Sequence, residues 1–202
     1  MRLLKRLPLL IALLCLTLSA YAADPKPLPF VKDSWTLVLL PDTQNYARSH
    51  PKLFINQTKW IAEHAAERNI AFVMGEGDVT QDDNAEQWKN AKAAYSMLDG
   101  KVPYSVGLGN HDYRPKPLDE RETLANKYFP PSLMEKSPAY GGAFEKGKLD
   151  NTYYKFTAGG RDWIALQLEF CPRDEVLKWA NKVLTENAGR TAIICTHAYL
   201  WK

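Results

Sequence analysis

The stretch Gly107-Leu108-Gly109-Asn110-His111-Asp112 sets an amide, an imidazole and a carboxylate in consecutive positions behind two glycines. Groups of these types can ligate a divalent cation, or accept and donate protons. Three other stretches carry matching chemistry: Asp42-Thr43-Gln44, Gly77-Asp78-Val79-Thr80 and Thr196-His197. Together they offer carboxylates, amide oxygens and imidazole but no thiolate, a donor set suited to borderline or hard divalent ions such as Mn, Fe or Zn. Carboxylates gathered at one place repel each other unless a cation neutralises them.

Each stretch follows an apolar run of strand length. Trp35 to Leu40 stops at Pro41 and delivers Asp42 and Gln44; Ile70 to Met74 delivers Asp78. Val102 to Val106 delivers Asn110, His111 and Asp112, and Thr191 to Cys195 delivers His197. Near-continuous apolar runs predict strands covered on both faces. Between them, Phe54, Thr58, Ile61 and Ala65 recur at helical spacing from Pro51 to Arg68-Asn69. A second helix carries Trp88, Ala91, Tyr95 and Leu98 on one face, with Asp82 or Asp83 as its cap. Strand–helix–strand–helix–strand implies parallel pairing through right-handed crossovers, so the strand ends share one edge of a sheet. Ligands of open α/β folds lie at that edge.

From Tyr113 to Asp150 the texture changes to a proline- and glycine-containing surface insertion with one short helix around Glu120 to Tyr128. Asn151 to Thr157 and Asp162 to Glu169, either side of Ala158-Gly159-Gly160-Arg161, predict a hairpin. Asp174 to Ala188 predicts an amphipathic helix.

The first 22 residues read as a cleavable signal peptide: Arg2, Lys5 and Arg6, then apolar Leu7 to Leu18, then Ala20-Tyr21-Ala22. Cleavage after Ala22 predicts a secreted or periplasmic protein with no membrane anchor, because the apolar run is short for a bilayer and no second one follows. That segment holds all of the formal net charge of +3. The remainder is balanced, with no basic block for nucleic acid or an anionic membrane surface. Residues 23–202 suffice for one domain with its own core, and Cys171 and Cys195 are no disulfide framework.

In this order and placement the motifs resemble those of the calcineurin-like metallophosphoesterases: D-x-H or D-x-Q, G-D-x-x, G-N-H-D/E, a later lone histidine and a final G-H-x-H. The resemblance implies a layered α-β-β-α sandwich of two mixed sheets with helices outside, an α/β fold. It also implies hydrolysis of phosphate mono- or diesters at two divalent metal ions through a metal-bound hydroxide. Carried over by position, Asp42 and Gln44 would bind the first metal, Asp78 would bridge, and Asn110 and His197 would bind the second. His111 would donate to the phosphate, with Asp112 fixing its orientation. Gln44 departs from the commoner histidine, and G-H-x-H is absent, so the resemblance reads residues 23–202 as a domain incomplete at its C-terminus. A non-catalytic binding protein on the same scaffold, its metal site degraded, is the alternative; a different metal-dependent hydrolase is a third.

Ordinary roles compete for each residue. Asp42 and Asp78 suit turn caps, and an isolated His197 suits a structural histidine. Asp112 stands where a dinucleotide fingerprint needs its third glycine, and no phosphate-cradling P-loop occurs. Trp60, Trp88 and Trp179 suit helix packing, His50 and His64 suit solvent-facing roles, and Asn56-Gln57-Thr58 is a sequon inside a predicted helix.

Overall fold

Alternation along two central strands organises the molecule. In a computed structural model, which describes residues 31–113 and 120–199, Ile70–Gly75 forms β2 between β1 (Thr36–Leu40) and the two-residue β3 (Tyr104–Ser105). Both pairings are parallel, with Val38 opposite Val73 and Met74 opposite Ser105. A second sheet runs β4 (Tyr140–Ala143), β5 (Thr152–Ala158), β6 (Arg161–Gln167) and β7 (Thr191–Cys195). Its first two pairings are antiparallel, and β6 with β7 is parallel.

Side chains at alternate positions point to opposite faces of a strand. Phe72 and Met74 of β2 therefore meet Tyr154 and Ala165 of the second sheet, with the Phe72 ring 5.3 Å from Tyr154 and stacked 5.1 Å from Phe156. Val73 faces the other way, into a cluster with Phe54, Ile61, Trp88, Tyr95 and Leu98. Those residues come from α2 (Pro51–Glu63), from α3 (Ala85–Tyr95) and from a 3-10 turn at Ser96–Leu98; α1 (Gln44–Ser49) precedes them. On the second sheet Ala165 faces inward, while Ile164 and Leu166 meet Val176, Ala180 and Val183 of α6 (Asp174–Glu186). Asp174 and Glu175 in the first turn of α6 complement its dipole. The result is a helix–sheet–sheet–helix layering within Asp33–Lys202. Full burial of a side chain such as Phe72 contributes about 1.5–3 kcal/mol.

Several expectations are corrected. Among the described residues the first sheet is wholly parallel and only the second is mixed. α2 ends at Glu63, and turns carry the chain to Asn69, which adopts a left-handed φ of 46°. The cap of α3 is Asn84, whose side chain accepts from the Glu86 and Gln87 amides. Asp83 instead accepts from Trp88 Nε1 and the Leu124 amide, tying the insertion to α3. The helix expected around Glu120 to Tyr128 shrinks to α4 (Ala125–Tyr128), followed by α5 (Pro131–Met134) and by β4, which no local propensity announces. Gly141 of β4 lies against the Tyr153 ring so closely that a Cβ would come within 2.2 Å of it. That strand exists by tertiary pairing. Trp60 is largely exposed and stacks on His64 at the surface, whereas Trp88 is fully buried. Cys171 and Cys195 are free, half-buried thiols. The expected signal peptide lies outside the described residues, among which no helix is long and apolar enough to cross a membrane.

Candidate metal centre

The carboxyl ends of β1, β2 and β3 share an edge because the strands are parallel, and β7 ends beside them. Their close approach depends on two glycines. A Cβ on Gly77 (φ 105°) would lie 2.8 Å from both the Gly109 amide nitrogen and His197 Cβ, and one on Gly109 would lie 2.1 Å from Asp78 Oδ1. Asp78 itself has φ 47°, a left-handed conformation that Asp tolerates better than most residues.

Through this geometry Asp42, Asp78 and His197 bring ligand atoms to within 4.8 Å of one another. His197 Nδ1 lies 3.6 Å from Asp42 Oδ1, and Nε2 lies 3.5 Å from Asp78 Oδ2. Nδ1 also lies 3.0 Å from the Glu76 carbonyl oxygen, which can only accept. The ring proton therefore belongs on Nδ1, and Nε2 keeps its lone pair on the Asp78 side, the tautomer a metal ligand needs. The Asp78 side chain is nearly buried and that of Asp42 more than half exposed, so the centre has one shielded and one open carboxylate. A cleft of about 330 Å³ lined by Pro41, Asp42, Glu76, Cys195, Thr196 and His197 opens beside it.

The remaining predicted residues fall into two groups. Gln44 begins α1 and holds a buried Oε1 with no hydrogen-bond partner among the described residues. Such an acceptor is costly unless something satisfies it, and an amide oxygen is a donor type that a divalent cation accepts. Asn110 lies between Gly109 and His111, whose amide donates to Asp78 Oδ1 at 3.0 Å. Asp112 departs from its expected role: its carboxylate does not back the His111 imidazole. It accepts from the amides of Gly109, Val79 and Thr80 and from the Thr80 hydroxyl, at 2.7–2.9 Å, binding the second strand-end loop to the third. Burial pushes the Asp112 carboxyl up to about 7 against the pull of these amides, and the charge of Asp78 adds to the rise. His111 is held instead by Gln81, whose carbonyl oxygen lies 2.9 Å from Nδ1, leaving Nε2 for other work.

No family model matches the chain. Over 176 residues it is 38% identical to the "Uncharacterized protein YvnB" of Bacillus subtilis (strain 168), an alignment covering 86% of this chain and 13% of that protein. The chain thus spans about one-eighth of the length of the curated relative it matches. Among solved structures, a purple acid phosphatase from yellow lupin (Lupinus luteus) seeds aligns with a TM-score of 0.46 at 16% identity, over 80% of this chain and 30% of the other.

Some contributors escape sequence reasoning. Glu76 acts through its backbone carbonyl, and Gln81 through its carbonyl and its side-chain amide nitrogen, 3.1 Å from His111 Nδ1; no backbone contact is revealed by a side-chain pattern. Glu169 is legible in principle, as a carboxylate at the end of a predicted strand. It is fully buried and reads onto the centre only through the turn it anchors. The arrangement as a whole can hold a divalent cation between two carboxylates and an imidazole, with a second histidine, His111, whose amide donates to one of those carboxylates.

Proposed function

We propose that this chain carries the centre of an exported, metal-dependent phosphoesterase acting on phosphate mono- or diesters, its leader removed after Ala22. The observation that supports this most is the convergence of Asp42, Asp78 and His197 at the ends of three strands. In this reading Asp42, Gln44 and Asp78 would hold one ion, and Asp78, Asn110 and His197 a second. Bound ions would supply Lewis acidity toward a phosphoryl oxygen and a lowered pKa for water. The chain's own contribution is positional. Glu76 fixes the His197 tautomer, Asp112 clamps the loops carrying Asp78 and Asn110, and Gln81 holds His111 at Nδ1, so that a doubly protonated ring would have its Nε2 proton free to pass to the leaving oxygen.

The test is a paired measurement on the full-length protein: divalent-ion stoichiometry after Mn²⁺ loading, and hydrolysis of a generic aryl phosphate. Stoichiometric ion with turnover is the expected result. His111→Ala is expected to retain the ions and lose about 10²–10⁴ in turnover, the range for a general acid–base group. Ion loss in that variant would make His111 a ligand instead. Bound ion with no turnover on mono- or diesters would support the non-catalytic binding protein, and no bound ion would end the metal reading.

A further inference from the structure

Arg121 belongs to the surface insertion, yet its side chain is only 8% exposed. Its backbone is left-handed, with φ 45°, and its guanidinium turns inward. Nη1 donates to the Phe170 carbonyl oxygen, and Nη2 donates to that of Cys171 at 2.9 Å. The guanidinium carbon stands 5.6 Å from the centroid of the Tyr113 ring, and Nη2 lies 4.0 Å from Glu169 Oε1. A planar fork holds two carbonyls in a fixed geometry, which the single rotatable ammonium of a lysine does not impose.

The two carbonyls belong to the turn after β6, and that turn is the platform for the His197 loop. The Leu168 amide donates to the Cys195 carbonyl at 2.8 Å, and the Thr196 hydroxyl to the Glu169 carbonyl at 2.8 Å. Cys171, itself left-handed at φ 47°, donates its amide to the Ala198 carbonyl at 2.9 Å. His197 is thus flanked on both sides by residues pinned to the turn, and its ring lies 6.1 Å from that of Phe170. Within the platform, Glu169 is wholly buried. Burial alone would raise its carboxyl, but hydrogen bonds from the Arg173 side chain and amide and from Asn151, with the charge of Arg121, hold it below the ordinary range. A buried carboxylate persists only with such compensation.

We propose that Arg121 is a positioning residue for His197, holding the turn of residues 169–171 so that the imidazole meets Asp42 and Asp78 with its proton on Nδ1. The proposal rests on the metal-centre reading. Arg173 supplies the contrast. It also binds Glu169, with Nε 2.9 Å from Oε1, but it reaches outward to Glu145 and Glu175 and is 30% exposed. Loss of Arg173 should cost stability without freeing His197.

The experiment compares wild type, Arg121→Met, Arg121→Lys and Arg173→Met in the full-length protein by two readouts. The first is the Mn²⁺ dissociation constant from titration calorimetry. The second is the tautomer of His197 in metal-free, ¹⁵N-histidine-labelled protein, among the four histidines of the chain. Arg121→Met is expected to weaken Mn²⁺ binding by about 10–100-fold, the range for outer partners of a metal ligand, and to turn the single His197 tautomer into a mixture. Arg121→Lys, which keeps the charge but not the rigid fork, should fall between and covers the case in which the methionine variant does not fold. Arg173→Met should lower the melting temperature and leave both readouts at wild-type values. Folded Arg121 variants with wild-type affinity and tautomer would overturn the proposal, as would an equal effect from Arg173→Met. If wild type itself binds no Mn²⁺ while Arg121→Met still mixes the tautomer, the positioning role stands and the metal reading falls.

Discussion

Asp78→Asn is expected to abolish stoichiometric divalent-ion binding while leaving the fold in place. The Asp78 carboxylate is nearly buried, with Oδ2 3.5 Å from His197 Nε2, and in the proposed centre it is the group shared by both ions. Asparagine keeps the shape and can still accept the His111 amide hydrogen bond that Oδ1 now receives at 3.0 Å. It also tolerates the left-handed φ of 47° that alanine would resist. The substitution therefore removes charge and one oxygen donor with little backbone strain. Aryl-phosphate turnover should fall by more than about 10³-fold, beyond the loss typical of removing a single stabilising donor from an otherwise intact site. Metal analysis alongside circular dichroism and thermal melting checks it. A folded Asp78→Asn protein that keeps its full complement of ions would show that Asp78 is no bridge.

Removing Asp112 should have its largest effect on stability. Its carboxylate is wholly buried and accepts from three amides and a hydroxyl that belong to two different loops. Asp112→Ala would leave buried donors without an acceptor, at a cost of about 3–5 kcal/mol measured by denaturant unfolding. Asp112→Asn should cost less, since one oxygen still accepts, though its NH₂ must face an amide.

The same residue sets a pH dependence. Its folded pKa is about 7 against 3.8 for the unperturbed carboxyl, so between these values the native state holds a proton that the unfolded chain has released. The contribution is fully present below the unfolded value, declines as pH rises through this window and levels off above it. Metal-free wild type should accordingly lose roughly 2–4 kcal/mol from this group between about pH 4 and pH 7. Asp112→Asn, which has nothing to titrate there, should show a flatter profile in chelator. Equal slopes in the two proteins would rule out Asp112 as the source.

Much of the layering is legible in the residue pattern. Apolar runs at Thr36–Leu40, Ile70–Gly75 and Thr191–Cys195 become strands almost to the residue, as does the hairpin of Thr152–Ala158 with Arg161–Gln167. A continuous apolar run marks the strand in each case, although only Ile70–Gly75 is covered on both faces as expected: Leu39 of β1 and Ile194 of β7 are exposed. A glycine-centred turn writes itself as composition. Tyr140–Ala143 leaves no such trace, because a strand containing two glycines forms only when Tyr153 is there to pack against them. Helix ends are similarly obscure: Asn84 rather than Asp82 or Asp83 caps α3 because Asp83 is drawn inward by Trp88 and Leu124.

For the site, the sequence by itself determined which donor types stand at the ends of which strands, and parallel pairing then required those ends to share an edge. Residue types and strand order were enough to nominate Asp42, Gln44, Asp78, Asn110, His111, Asp112 and His197. The division of labour among them was decided only by tertiary structure. Asp112 turned from the imidazole toward the amides of Gly109, Val79 and Thr80, and Gln81 took the place beside His111. His197 received its tautomer from the Glu76 carbonyl, and its loop came to rest on a turn held by Arg121, 76 positions earlier in the chain. The physical reason is the same each time. A side chain's chemistry is written in its own residue, but its orientation depends on backbone carbonyls and amides, which every residue possesses and which only folding brings within reach.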